Sequence, residues 1–256
     1  MKDLNFLKKN IIAHRGIHTK YPENSIKAFK EALKYNYIIE FDVHLLKDNT
    51  IVVFHDDNLR RMTGKNKKLN NCTYDDIKNI KLLNTNNYIP KLEDALKLID
   101  GKVPIIVETK YDTKPGLLEH ELVKRLDNYK GEFCVKSFSP LSIRWFKKNR
   151  PNYIRGLLIS TRNKTFLEKI IHTRLINLLT RPDFISCNYR LCNNKNILRH
   201  KKQRPVIAWT IKNDKNFAKY KDKFDNLIVD TLINDEEKNT NKKWIDQTGL
   251  FLCQNE

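Results

Sequence analysis

The chain has 256 residues, of which 40% are hydrophobic, so it is long enough for one large soluble domain with a sizeable core. No apolar run approaches the roughly 18 residues that a membrane-spanning helix needs. Residues 1–10 are polar and basic, and they lack the apolar core of a signal peptide. The five cysteines are scattered and without C-x-x-C spacing, which indicates reduced thiols. We therefore expect a cytoplasmic protein without a transmembrane segment.

The formal net charge of +19 is the most unusual feature of the composition. Lysines are spread along the whole chain. Small basic clusters at 65–68, 147–150 and 199–204 lack the interleaved aromatic side chains of a single-strand binder. The charge therefore indicates a solvated basic surface, compatible with weak association with anionic surfaces and without a specific nucleic-acid partner.

Strand-like and helix-like segments alternate along the chain. Strand-like runs lie at 11–14, 37–43, 51–55, 103–108, 133–137, 154–159, 184–188, 205–210 and 226–230. Helix-like stretches lie at 24–35, 92–99, 116–129, 140–149, 163–179, 192–200 and 213–223. Such alternation favours a parallel sheet with helices outside it. Because about 250 residues is typical of a (β/α)8 TIM barrel, the sequence predicts an α/β protein with one such barrel domain over residues 1–256.

The nine strand-like runs exceed the eight strands of a simple barrel, and the connection after the second run explains the extra one. Parallel neighbours need a crossover of about a dozen residues or more. Only residues 44–50 separate the second and third runs, and Lys47-Asp48-Asn49 is typical of a turn. We therefore expect 37–46 and 51–55 to form an antiparallel hairpin.

Two polar segments do not fit the alternation. Residues 57–90 are rich in Asn and Lys and too long for an ordinary loop, so we expect a small insertion that caps the site. It should contain one helical piece near 73–80. Residues 234–256 are charged, and their pattern fits either a final helix or a loose tail.

Four successive strand-like runs end in charged or titratable groups. These ends are His14-Arg15, Glu40-Phe41-Asp42, His55-Asp56 and Glu108-Thr109-Lys110. Because desolvating a charge is costly, a buried strand has no structural use for such an ending. The pattern therefore predicts one shared polar site at the mouth of the barrel.

Three carboxylates in this pattern predict a metal site. Glu40 and Asp42 are two apart on a strand, so both face the same side of the sheet, and Glu108 ends a different strand. Neighbouring carboxylates repel each other unless a cation lies between them. Any one of them alone is better explained by a salt bridge to a lysine. Ligation by oxygen alone favours one hard divalent cation, Mg²⁺ or Ca²⁺, over zinc.

The remaining groups of the pattern suit phosphoryl transfer. Histidine as a residue type titrates near neutral pH, so His14 and His55 are candidates to exchange protons with a substrate, although either could instead bind the metal. The guanidinium of Arg15 can bind a phosphate in bidentate fashion, and the ammonium of Lys110 can bind it as a point charge. The chain has no G-x-x-x-x-G-K-[ST] motif, so a mechanism that uses a nucleoside triphosphate is unsupported.

Short motifs follow one another in a fixed order along the chain. They are I-I-A-H-R-G at 11–16, P-E-N-S at 22–25, I-E-F-D-V at 39–43, H-D at 55–56, L-x-R at 59–61, I-P-K-L-E at 89–93, V-E-T-K at 107–110, S-F at 137–138 and W-T at 209–210. This set resembles the glycerophosphodiester phosphodiesterase family, in its compact bacterial cytoplasmic form. The chain departs from the family pattern at Met62, at Asp57 and at 229–232, where V-D-T-L stands in place of T-D-x-P.

The resemblance implies a metal-dependent enzyme that hydrolyses glycerophosphodiesters, which are small molecules, to sn-glycerol 3-phosphate and an alcohol. In such enzymes the glycerol 2-hydroxyl attacks phosphorus, and water then opens a cyclic phosphate. The residues implied are His14 as general base, His55 as general acid, Glu40, Asp42 and Glu108 as metal ligands, Arg15 and Lys110 on the phosphate, and Ser137, Phe138 and Trp209 on the glycerol side.

Two alternative functions stay open from the sequence. A related barrel phospholipase acting on intact lipids would need an exposed apolar rim, for which Trp145, Phe146 and Trp244 are candidates, although core or tail positions suit them better. A basic nucleic-acid-binding protein would explain the net charge but would leave the four polar strand ends unexplained.

Overall fold

A computed structural model describes residues 2–110, 116–161 and 174–231 of the chain. The described strands are β1 Ile12–His14, β2 Ile38–Leu45, β3 Ile51–Val53, β4 Ile105–Thr109, β5 Phe133–Ser137, β6 Ile154–Ile159, β7 Phe184–Asn188, β8 Val206–Ile211 and β9 Asn226–Val229. All nine predicted strand-like runs therefore correspond to strands, with ends that differ by a few residues.

Eight of these strands form a closed parallel barrel. The sheet order is β1-β9-β8-β7-β6-β5-β4-β2, and β1 also pairs with β2, which closes the ring. β3 lies outside the ring and pairs with β2 in antiparallel register, Val43 opposite Val53 and Leu45 opposite Ile51. The predicted (β/α)8 barrel and the predicted hairpin are both confirmed.

The described helices are α1 Phe6–Lys9, α2 Ile26–Lys34, α3 Arg60–Thr63, α4 Tyr74–Ile77, α5 Leu92–Ile99, α6 Leu117–Leu126, α7 Pro140–Asn149, α8 Arg174–Thr180, α9 Lys195–Lys201 and α10 Asp214–Tyr220. Side-chain caps fix two of the helix starts, because the Ser25 hydroxyl accepts from Ala28 N and the Ser139 hydroxyl accepts from Ser142 N. The first part of the predicted helix 163–179 and all of segment 234–256 lie outside the described residues.

The helix α1 was not expected from the sequence, where residues 1–10 form a polar lead into β1. The structure buries Phe6 and Leu7 of this helix against the first inward-facing residues of the strands, among them Ile38 and Ile106. α1 therefore closes the amino-terminal end of the barrel with apolar side chains. The opposite end, where the strands finish, is the one left for polar groups, as in other barrels of this type.

The segment 57–90 forms a small core of its own against the hairpin. Its buried side chains pack on Val52 and Phe54 and comprise Leu59, Met62, Leu69, Cys72, Ile77, Leu82 and Ile89. Met62, one of the departures from the family pattern, is 3% exposed and contributes to this core as an apolar residue. The predicted helical piece near 73–80 is α4, whose start is capped by Thr73. That residues 1–256 form a single domain, with 57–90 as an insertion within it, stays a prediction.

Within the described residues, none of the helices combines the length and the apolar character required to cross a bilayer. The cytoplasmic location stays a prediction. Cys72, Cys134 and Cys187 are buried free thiols, and burial raises the pKa of Cys187 to about 12.

The turn after β1 brings the backbone against α2. Arg15 and Gly16 both have positive φ, +57° and +75°, and Ile17 N then donates to Ala28 O at 3.1 Å. A Cβ at Gly16 would lie 2.8 Å from the carbonyl carbon of Ala28, so only glycine fits this approach. The turn fixes where Arg15 stands relative to the barrel.

Substitution of Gly16 should lower the free energy of unfolding by more than backbone strain alone would. Gly64 has the same φ of +75°, but a Cβ added there would have nothing within 4 Å, so Gly64→Ala carries only the left-handed strain of about 1–2 kcal/mol. Gly16→Ala adds a steric clash with the α2 backbone and should lose about 1–3 kcal/mol more in free energy of unfolding. Urea denaturation of both variants measures the difference. Equal losses would contradict the close packing described here.

Candidate active site

The polar strand ends meet at one mouth of the barrel. Strand register places His14 beside Glu40 and Asp42 beside Glu108. The same inward positions lower in the strands carry apolar side chains such as Ile12. From Ile12 to His14 on β1, two residues apart, the inward face of the barrel thus changes from apolar to polar.

Three buried carboxylates form the centre of the mouth. Glu40, Asp42 and Glu108 are at most 5% exposed, and one oxygen from each lies within 4.8 Å of the others. Burial raises the pKa of Asp42, but Lys110 and Arg15 outweigh it and hold that pKa well below its usual range. Burial likewise raises the pKa of Glu108, and Lys110 and Lys136 outweigh it and lower that pKa. A buried cluster of carboxylate oxygens fits a hard divalent cation.

Three cations oppose these carboxylates. Lys110 Nζ lies 2.7 Å from Asp42 Oδ1 and also contacts Glu108, and Arg15 Nε lies 3.2 Å from Asp42 Oδ2. Lys136 Nζ lies 2.9 Å from Glu40 Oε1 and 3.2 Å from Glu108 Oε2. The two predicted cations keep side-chain exposures of 15–16%, whereas Lys136 is 3% exposed. Of these three cations, only Arg15 and Lys110 therefore reach the open side of the mouth.

Lys136 was missed by the sequence reasoning, although a signal was present. It is a lysine in the middle of an apolar strand, β5, at an inward position between Cys134 and Phe138. Burial lowers its pKa, but the pull of Glu40 and Glu108 is stronger and raises it, so the side chain stays charged. A lysine in such a position has to face a carboxylate, because an unpaired buried charge is very costly.

The ring of His14 is oriented by a carboxylate at the end of β9. His14 Nδ1 donates to Asp230 Oδ1 at 2.6 Å, since an ionised carboxylate can only accept. Its tautomer is thereby assigned, and Nε2 is left as the basic nitrogen. His18 also approaches Asp230 Oδ1, with its Nε2 at 3.3 Å. Asp230 lies in the segment that departs from the family pattern, yet it ends a strand in a charged group, as the other site residues do.

The ring of His55 is held in the same way by its neighbour. His55 Nδ1 donates to Asp56 Oδ1 at 2.6 Å, and Arg61 from the insertion donates to both oxygens of Asp56 at 2.6 and 3.0 Å. Arg61 also donates to both oxygens of Glu23, which in turn accepts from Arg15 at 2.7 Å. The insertion therefore connects the two halves of the mouth, from His55 to Arg15.

The P-E-N-S motif supports this arrangement from the segment before α2. Glu23 joins Arg15 to Arg61, as above, and Asn24 Nδ2 donates to Asp42 Oδ2 at 2.9 Å. Asn24 is 1% exposed and has a φ of +56°, a conformation that asparagine tolerates better than most residues. The motif matched the family pattern in sequence, but these contacts could not be assigned before the fold was known.

Three aromatic and hydroxyl residues were expected on the glycerol side, and one of them is placed elsewhere. Ser137 is fully buried, and its hydroxyl donates to Thr109 O at 2.9 Å and accepts from Ser139 N. The expectation for Ser137 is corrected, because strand alternation turns it away from the barrel interior that Lys136 faces. Phe138 and Trp209 are half-buried and pack edge to face, with ring centroids 5.7 Å apart. Their contact with glycerol stays a prediction.

The whole of this mouth falls within one family match. The sequence model of the glycerophosphoryl diester phosphodiesterase family covers residues 14–238. The chain belongs to this family of phosphodiesterases. The resemblance found in the motifs is confirmed over most of the chain.

Individual relatives agree with the family match. The Bacillus subtilis protein YhdW is 31% identical over 233 residues, which cover 82% of this chain and 88% of that protein. A glycerophosphodiester phosphodiesterase of Caldanaerobacter subterraneus is 34% identical over 164 residues, 59% of this chain and 67% of that protein. The solved structure of an Oleispira antarctica phosphodiesterase in complex with the product sn-glycerol 3-phosphate has a TM-score of 0.73 at 20% identity, covering 94% of this chain and 98% of the other. At 20% identity, the similarity to the Oleispira antarctica structure shows a shared fold.

Removal of the buried lysine should destabilise the protein strongly. Lys136→Met leaves Glu40 and Glu108 without their shared cation, and loss of one partner of a buried ion pair costs about 3–5 kcal/mol. Lys97→Met, on the outer side of α5, is the matched control and should change little. Urea denaturation at neutral pH and without added metal measures both free energies. A Lys136→Met protein as stable as the control would show that this charge balance is not required.

Proposed function

We propose that this protein uses one divalent cation, Mg²⁺ or Ca²⁺, and two histidines to hydrolyse glycerophosphodiesters to sn-glycerol 3-phosphate and an alcohol. The observation that carries the proposal is the convergence of three buried carboxylates, two oriented histidines and two partly open cations at one barrel mouth. Family membership supports the choice of substrate class, as does the product bound to the Oleispira antarctica protein.

Glu40, Asp42 and Glu108 are the residues that would hold the cation. Their oxygens are close together and buried. Among the described residues Glu40 Oε1 has no partner with hydrogen-bond geometry, although the Lys136 ammonium lies 2.9 Å away. A bound divalent cation would withdraw charge from the phosphate oxygens. Neither Mg²⁺ nor Ca²⁺ is favoured over the other by these ligands, since both prefer oxygen donors.

Arg15 and Lys110 bind the phosphate in this proposal. Both side chains are fixed by carboxylates, so they would meet an anion without further loss of side-chain freedom. Burial lowers the pKa of Lys110, but Asp42 and Glu108 outweigh it and raise that pKa, so the ammonium is charged throughout the neutral range. These fixed cations stabilise the charge that develops on the phosphate oxygens.

The histidines move the protons. In the first step Nε2 of His14 accepts the proton of the glycerol 2-hydroxyl, whose oxygen bonds to phosphorus, while Nε2–H of His55 gives its proton to the departing alcohol. Asp230 and Asp56 hold the two rings through Nδ1. In the second step water opens the cyclic phosphate with the two roles exchanged, which returns both rings to their starting states.

A second candidate is hydrolysis of a lipid that retains one acyl chain. It is favoured by Leu117 and Leu141, which are 53% and 52% exposed at the starts of α6 and α7, on the mouth side of the barrel. Phe146 does not contribute to such a rim, because it is fully buried in the main core, and Trp145 is partly buried with its ring packed against that core. Trp244 lies outside the described residues. Rates on glycerophosphocholine and on lysophosphatidylcholine, measured side by side, distinguish the two candidates.

The proposal predicts release of glycerol 3-phosphate that depends on metal. A coupled assay with glycerophosphocholine or glycerophosphoethanolamine should detect the product with Mg²⁺ or Ca²⁺ and lose the signal with EDTA. His14→Ala and Glu40→Ala should each abolish activity while the circular dichroism spectrum is retained. His120→Ala, an exposed histidine on α6, should keep it. Absence of metal-dependent release from either substrate would refute the main proposal.

The bridge made by Arg61 should matter for rate. Arg61→Gln releases Asp56 and Glu23 together, so the two carboxylates that orient His55 and Arg15 lose their shared support and kcat should fall about 10-fold or more. The adjacent Arg60 is exposed and lies outside this network, so Arg60→Gln serves as the matched control. Steady-state kinetics that give the same kcat for both variants would mean that the insertion does not position the mouth.

A further inference from the structure

We propose that His14, His18 and Asp230 form a second metal site, which takes a borderline transition-metal ion such as Zn²⁺ and thereby switches the enzyme off. The three residues offer one ligand atom each, all within 4.8 Å of one another. Asp230 Oδ1 lies 2.6 Å from His14 Nδ1 and 3.3 Å from His18 Nε2. The site is separate in its ligands from the three carboxylates.

The donor set distinguishes this site from the oxygen-only cluster. Two imidazole nitrogens and one carboxylate oxygen suit zinc and its neighbours, whereas Mg²⁺ and Ca²⁺ avoid nitrogen ligands. Zinc sites with three protein ligands leave a fourth position for water. A site of this kind would therefore take up zinc even when the carboxylates are occupied by a hard cation.

The fold holds the three ligands in place. Ala13 of β1 pairs with Val229 of β9, so His14 and Asp230 are the next residues along two adjacent strands. His18 follows the Gly16 turn, which the bond from Ile17 N to Ala28 O ties to α2. The side chains are 15–22% exposed, so an ion can reach them from the mouth.

Two of the three separations between ligand atoms need little or no adjustment, and the third, between the two histidines, lies within 4.8 Å. Zinc bonds of about 2.0–2.1 Å in a tetrahedral site place neighbouring ligand atoms about 3.3 Å apart. The separation between His18 Nε2 and Asp230 Oδ1 already has this value. The separation between His14 Nδ1 and the same oxygen, 2.6 Å, has to widen by less than about 1 Å once the proton between them is gone.

One carboxylate oxygen is shared by both imidazoles of the proposed site. Asp230 Oδ1 lies 2.6 Å from His14 Nδ1 and 3.3 Å from His18 Nε2, so all three ligand atoms already face one another. Zinc binding then replaces the Nδ1 proton of His14, and this proton leaves to solvent.

Occupation of the site removes the base from the reaction. A neutral imidazole that binds zinc through Nδ1 carries its remaining proton on Nε2, so His14 has no free lone pair for the glycerol 2-hydroxyl. Asp230 is also taken from its orienting role. This inhibitory half of the inference rests on the proposed function of His14, whereas the binding half does not.

Zinc binding is tested first without reference to activity. Isothermal titration with Zn²⁺, in saturating Mg²⁺, should find one site in the wild-type protein and the same site in His120→Ala. His18→Ala should bind at least about 10-fold more weakly, since removal of even an outer partner of a metal ligand costs about 10- to 100-fold in affinity. Equal zinc affinity in wild type and His18→Ala would overturn the proposed site.

A second measurement uses only the wild-type protein, so its result does not depend on whether a variant folds. Co²⁺ bound by the wild-type protein in saturating Mg²⁺ should give the intense visible absorption of a four- or five-coordinate site with nitrogen ligands. The weak spectrum of six-coordinate Co²⁺ alone would overturn the assignment.

Inhibition is then measured in the phosphodiesterase assay, relative to the zinc-free rate of each protein. Zn²⁺ should inhibit the wild type and His120→Ala at the concentration that fills the site, and the inhibition curve of His18→Ala should shift by the same factor as its affinity. Zinc that binds without inhibiting an active enzyme would overturn the inhibitory half. An enzyme inactive on every glycerophosphodiester would refute the proposed function instead and leave the binding result standing.

Discussion

The mouth of the barrel depends on the compensation of three buried negative charges. Glu40, Asp42 and Glu108 come from two adjacent parallel strands, so the register of the sheet brings them together whatever their mutual repulsion. Removal of a charge from water costs several kcal/mol per ion. Only opposite charges at short distance offset this loss of hydration. Arg15, Lys110 and Lys136 supply this compensation, from the turn after β1, from the residue after β4 and from within β5. The strands of the barrel therefore provide both halves of an ionic layer.

A second layer of carboxylates orients the groups that face the open side. Asp230 holds His14, and Asp56 holds His55. The second pair continues through Arg61 and Glu23 back to the turn after β1. Arg61 bridges two distant parts of the chain, so its backbone has to be held in a fixed position. The small core of the insertion provides this support.

The sequence was sufficient where each signal was local. A charged end on an apolar strand and a loop too short for a crossover predicted the mouth and the hairpin, and strand alternation placed Glu40 and Asp42 on one face. Other contacts join residues that are far apart, as His14 and Asp230 are, so no local pattern indicates them. The expected position of Ser137 on the glycerol side was wrong. Strand alternation could have shown this, because Ser137 and Lys136 are consecutive residues of β5 and face opposite sides of the sheet. α1 was missed because Phe6 and Leu7 are two apolar residues in a basic stretch.

In the proposed zinc site, the carboxylate shared by His14 and His18 is what would let two metal chemistries meet at one mouth. A carboxylate orients a catalytic imidazole by accepting from Nδ1, and this contact places an oxygen and a nitrogen at nearly the separation that a metal requires. One such pair binds zinc weakly, because two ligands leave most of the coordination shell to water. A third ligand, His18 beside the same oxygen, turns the orienting pair into a chelating set. Selectivity then follows from donor type, since the carboxylate cluster has no nitrogen and the histidine set has a single carboxylate.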